Sequence, residues 1–149
     1  LHPFDIKTVV FAKHAQHVVL IHFPIALFIA GVAFDFMAQW TRRASYAVAA
    51  YFNLTFAAFS TIPVVIIGIV AWQWALEGQR LKGILLEHLV LGGTSSVLIW
   101  IVFLIHRRAR RKPEPAISGT RIAIELLGVL LVSFAGHLGG FLSGVNGPG

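Results

Sequence analysis

The histidines are the residues of this chain best placed to do chemistry. Three of the seven fall within "HAQHVVLIHFPIAL", as His14, His17 and His22, at the entry to a long apolar run. Imidazole is the usual axial ligand of haem iron and a common ligand of zinc and copper. An ionisable side chain is costly in lipid, so there it is usually paired, ligated or turned to a cavity. His88 is followed one turn later by Gly92 and Gly93. His137 stands in "AGHLGG" beside Gly136, Gly139 and Gly140. A missing side chain lets a flat macrocycle approach the backbone. His22, His88 and His137 with these glycines therefore form a candidate haem-b site, in which two of the three histidines ligate iron. Zinc or copper is the alternative occupant, and His14 and His17, an i, i+3 pair, are weaker candidates for metal. Two carboxylates also lie in apolar surroundings. Asp35 and Glu125 read either as a proton or quinone site or as structural ion pairs. For Glu125 an intrahelical pair with Arg121 is the favoured reading.

These residues need elements to position them, and composition names the solvent. Hydrophobic residues make up 57% of the 149 and charged residues 12%. A soluble domain carries about 25% charged residues, so the chain reads as an integral membrane protein surrounded by lipid. Four apolar stretches, roughly 18–40, 46–76, 84–106 and 121–142, reach the length of about 20 residues that crosses the hydrocarbon core. None alternates as a strand would, so helices are the spanning form. His14, His17 and His22 crowd the first stretch, which argues against a cleavable signal peptide. The expected fold is all-α, one four-span up-and-down bundle. The second span is longer than a bilayer needs, so it should tilt or kink at Pro63, and Pro24 should break or start a helix in the first.

The formal charge of +6 would suggest nucleic acid in a soluble chain. Here the cations sit between spans: Arg42 and Arg43 after the first, Arg107, Arg108, Arg110, Arg111 and Lys112 after the third. The positive-inside rule then places these loops in the cytoplasm and both termini on the outer side of a bacterial inner membrane. Trp40 and Trp100 are expected at the inner interface, Trp72 and Trp74 at the outer. Six histidines gather at the outer end, and only His106 lies inside, beside the arginine run. Arg80 and Lys82 are candidate partners for haem propionates. With no cysteine there are no thiolate metal sites and no covalent c-type haem. No Walker sequence, GxSxG or HExxH occurs, so nothing supports hydrolysis.

"HVVLIHFPIALF", with His22, Pro24 and Ala26, and the closing "GHLGGFLSGVNG", residues 136–147, resemble the signatures of a bacterial family of small four-span predicted membrane proteins, domain of unknown function 2231. The family's third span carries a histidine where His88 stands. Some members are joined to c-type cytochrome domains, which implies a respiratory or photosynthetic electron-transfer setting. The expectation is a haem-b electron-transfer subunit rather than an enzyme in its own right. Its partners would be lipid, the other subunits of a redox complex and a c-type cytochrome, with electrons passing to or from quinone. A non-redox accessory subunit and a histidine-based metal-binding protein are the alternatives.

Overall fold

A computed structural model describes residues 15–111 and 119–144. Its helices are α1 (Ala15–Leu20), α2 (His22–Thr41), α3 (Ala44–Ala75), α4 (Ile84–Ala109) and α5 (Gly119–Leu142). Four stretches are long and apolar enough to cross a bilayer: Gln16–Thr41, Ala44–Trp74, Ile84–Ala109 and Gly119–Leu142. They pack as an up-and-down bundle in which sequential spans are neighbours and the fourth closes against the first. The described chain begins and finishes at one end of the bundle, called here the terminal end.

Local sequence explains how the elements start and stop. Pro24 has no N–H, and its ring crowds the carbonyl four residues earlier. That carbonyl belongs to Leu20, and the regular helical bonding is interrupted only at Ile21, whose φ of −62° and ψ of −24° stay right-handed helical. The interruption is slight, because Ile21 N still donates to the His17 carbonyl at 3.0 Å. The first span is thus a short helix running almost directly into a long one. At its far end Arg42 adopts a left-handed conformation with φ 57°. Its N–H closes the helix on the Ala38 carbonyl at 2.9 Å. A two-residue connection then suffices to reverse the chain. α3 runs unbroken through Pro63 for 32 residues. At 1.5 Å per residue that is about 48 Å, more than the hydrocarbon thickness, so this span tilts or projects.

The inward face of every span follows a spacing of alternating three and four residues. In the first span it is His17, Ile21, Pro24, Phe28, Gly31 and Asp35. In α3 it is Ala50, Leu54, Ala57, Thr61, Val64, Gly68 and Ala71. In α4 it is His88, Gly92, Ser95, Ile99, Val102 and His106, and in α5 Arg121, Glu125, Gly128, Val132, Ala135 and Gly139. This is the seam of a left-handed helix bundle. Its mid-depth core is apolar, built around Phe28, Leu54, Ile99, Val102 and Val132. Small residues let backbones approach. A Cβ on Gly31 would lie 2.8 Å from Leu54 Cγ, and one on Gly128 2.7 Å from Phe28 Cζ. Trp40 is 91% exposed and Trp74 72% exposed, in keeping with interfacial anchors. Trp100 is not an anchor: it packs against the core and donates its indole N–H to Thr61 Oγ1 at 3.1 Å.

Polar groups occupy both ends of this seam. His17 and Asp35 are 18 residues apart (35 − 17), as are His88 and His106 (106 − 88). Eighteen residues are five full turns, so each pair shares a helix face and is separated by about 27 Å, close to the thickness of the bilayer core.

Candidate functional site

At the terminal end the bundle opens into an apolar cavity with two contiguous lobes of about 220 and 460 Å³. His17 and His88 line both lobes. Their rings come from the first and third spans, with centroids 6.4 Å apart and planes at 88°. Each imidazole is seated against a glycine. A Cβ on Gly68 would lie 2.9 Å from His17 Cε1, and one on Gly139 3.2 Å from His88 Cε1. A side chain at either position would push the ring out of place.

The hydrogen bonding of His88 has the form found behind metal-bound histidines. Its Nδ1 lies 3.0 Å from the Ala135 carbonyl, and since a carbonyl only accepts, Nδ1 carries the proton. Nε2 then keeps its lone pair for a ligand. His17 Nδ1 is buried without a hydrogen bond of ordinary geometry, although the Val64 carbonyl lies close to the ring. Ser95 Oγ, also in the cavity wall, is buried and unpartnered. Buried polar atoms are normally satisfied, so orphans facing a cavity point to a missing polar or metallic partner. Trp72 forms another part of the wall and is tied to the α3–α4 loop by its indole N–H, which donates to the Gln79 carbonyl at 2.9 Å.

The other histidines named from the sequence sit differently. His22 is exposed but borders the wider lobe. His137 is exposed, stacks edge-on against Phe141 with centroids 5.0 Å apart, and borders neither lobe. His14 lies outside the described residues. Of the glycines, Gly92, Gly93 and Gly136 line the narrower lobe and Gly136, Gly139 and Gly140 the wider one. The cavity therefore brings together His88, His22 and these glycines with His17, which the sequence placed only among the weaker candidates. Glu87 and Lys82 are exposed near the same end.

At the opposite end three spans converge on a buried polar cluster. Asp35 is 5% exposed, His106 7% and Glu125 0%. Arg121 Nη2 donates to Asp35 Oδ2 at 2.5 Å, and Gln39 Nε2 donates to the same oxygen. Arg121 Nε lies 3.3 Å from Glu125 Oε1, the expected i, i+4 pair. His106 Nε2 meets Glu125 Oε1 at 2.7 Å, and its Nδ1 is 4.0 Å from Asp35 Oδ1. Asp35, His106 and Glu125 offer ligand atoms within 4.8 Å of one another, a composition and spacing that could hold a metal ion. Arg121 already supplies a cation there, bonded to one carboxylate and paired with the other. Sequence reasoning found Asp35, Glu125 and Arg121 but missed His106, which reads as one more member of the basic run "HRRARRK". The available signal was its 18-residue spacing from His88 on the same face.

No curated protein and no solved structure matches the chain. The family model described as a predicted membrane protein, DUF2231, matches residues 13–147. With four apolar spans in the bundle and a match over nearly the whole length, the chain belongs to the DUF2231 family of multi-pass predicted membrane proteins.

Proposed function

We propose that the protein is a membrane electron-transfer subunit that binds one b-type haem at the terminal end, which His17 and His88 would hold through their imidazole nitrogens. The observation that carries this reading is the pair of crossed imidazoles, from two different spans, on the wall of a glycine-lined apolar cavity. Two imidazoles on opposite faces of one metal ion, each nitrogen about 2 Å from it, have ring centroids roughly 6 Å apart. The observed 6.4 Å fits that separation. A haem asks the protein for two ligands, and among the described residues two histidines line the narrower lobe. Structural zinc asks for four and catalytic zinc for three. A zinc or copper site would have to recruit His22 from the rim of the wider lobe, and this is the one observation that favours a bare metal.

A haem held there would supply a one-electron carrier. The chain's own residues set its surroundings. The Ala135 carbonyl fixes the His88 tautomer and increases the basicity of Nε2. Gly68 and Gly139 leave room for the two rings, and the apolar wall excludes water, which tunes the potential.

Orientation supports an outer location for this site. Arg42, Arg43, Arg107, Arg108, Arg110 and Arg111 all fall at the opposite end, the side that the positive-inside rule assigns to the cytoplasm. In a bacterial inner membrane the cavity would face the outer side, where a c-type cytochrome could exchange electrons with it. Quinone or a neighbouring subunit of a redox complex would be the second partner.

The test is an absorption spectrum of the full-length protein purified from membranes of a haem-sufficient host. The expected result is the sharp reduced-minus-oxidised bands of six-coordinate, low-spin haem b. Colourless, iron-free protein would overturn the proposal and leave the accessory-subunit reading in its place.

A further inference from the structure

The polar cluster at the opposite end has an uneven charge. With a neutral His106 it holds two carboxylates, Asp35 and Glu125, against one guanidinium, Arg121, and so is one positive charge short. Among the described residues the count takes in every element packed around it. α2 contributes Asp35 and Gln39, and α5 contributes Arg121 and Glu125. α3 carries no Asp, Glu, Lys, Arg or His, and its Tyr51 lies under the Arg110 guanidinium, 4.2 Å from the ring centroid. α4 contributes His106 itself, followed directly by the exposed Arg107 and Arg108, with the exposed Arg110 just past the helix end. An uncompensated charge at 0–7% exposure inside a membrane bundle is expensive.

We infer that the cluster is a proton-binding site, which takes up one exchangeable proton seated on the His106 ring between Glu125 and Asp35. The imidazole is placed for this, because one ring nitrogen meets Glu125 at 2.7 Å and the other faces Asp35 at 4.0 Å. A neutral imidazole carries one proton, whereas an imidazolium carries one on each nitrogen, so the ring would bond Glu125 through Nε2 and turn a charged N–H toward Asp35 at ion-pair distance. Binding adds one proton to the ring, moves no electrons, and brings the cluster to neutrality. Glu125 Oε2 is fully buried without a partner, which leaves an acceptor free for a proton or water in transit. A divalent ion fits less well. The His106–Glu125 contact is already direct, and two positive charges added to Arg121 would leave an excess of one. His106 lies three residues before the end of α4, so exchange runs over a short path to the arginine-rich side. The site is independent of what fills the cavity about 27 Å away.

Nitrogen NMR of the full-length protein, with isotope-labelled histidine rings, tests this. The pH is held about one unit above the ordinary histidine value of about 6.5. The expected spectrum contains one doubly protonated imidazole, absent in His106→Gln. Glu125→Gln removes one negative charge while keeping the ring, so the same signal should convert to a neutral tautomer. This second variant decides the matter even if His106→Gln fails to fold. A wild-type protein with no doubly protonated ring, or a doubly protonated ring that survives Glu125→Gln, would overturn the inference. So would displacement of the ring proton by one equivalent of zinc, which would make the cluster a metal site.

Discussion

In protein carrying His88→Ala, the low-spin haem spectrum should be lost completely, and His17→Ala should have the same effect. His22→Ala and His137→Ala should retain it. The expectation follows from which rings reach the cavity. His88 is held by the Ala135 carbonyl at 3.0 Å and His17 is wedged against Gly68, so each presents one fixed ring, and no other histidine among the described residues lines the narrower lobe. An iron that loses one axial imidazole becomes five-coordinate and high-spin, or dissociates. The fold should survive, because both rings border an existing cavity rather than the packed centre at Phe28, Leu54 and Val102. Circular dichroism and gel filtration of each variant would confirm that. A normal spectrum in His88→Ala, or its loss in His137→Ala alone, would show that the ligands are assigned wrongly.

The second large effect belongs to Arg121. Replacing it with leucine strands two carboxylates, at 5% and 0% exposure, without their shared cation. Breaking a buried ion pair by removing one partner costs about 3–5 kcal/mol, because the remaining charge stays desolvated. The unfolding midpoint in detergent should fall accordingly. Combining Arg121→Leu with Asp35→Asn should recover part of the loss, since the two residues are directly bonded and their effects cannot be additive. An Arg121→Leu protein with the wild-type midpoint would mean that the cluster contributes nothing to holding the spans together.

The four helices were legible because lipid admits no other spanning form for such apolar runs. The face each helix turns inward was harder to see. In a soluble bundle the buried stripe is the apolar one, but here the lipid-facing side is equally apolar, as exposed Phe52, Phe56 and Phe59 on α3 illustrate. The informative residues are instead the small and polar ones. His17, Pro24 and Gly31 recur every seven residues, as do Phe28 and Asp35. His22 draws the eye through its place in the HFP motif, yet it sits five residues from His17, roughly 140° around the helix. The Arg121–Glu125 pair needed only i, i+4 spacing and was readable. The attachment of Arg121 to Asp35 was not, since it depends on the register between the first and fourth spans. That register is set where Phe28 meets Gly128 at the bundle centre, and no single stretch of sequence contains it.

The most direct test of the haem reading is electron paramagnetic resonance on the oxidised, purified full-length protein. Two neutral imidazoles make a strong axial field, and planes crossed at 88° should make the low-spin ferric signal strongly anisotropic. The predicted result is one such signal per chain, lost in both His17→Ala and His88→Ala. A high-spin ferric signal, a copper signal, or no paramagnetic signal from an iron-free protein would contradict bis-histidine haem ligation in this cavity.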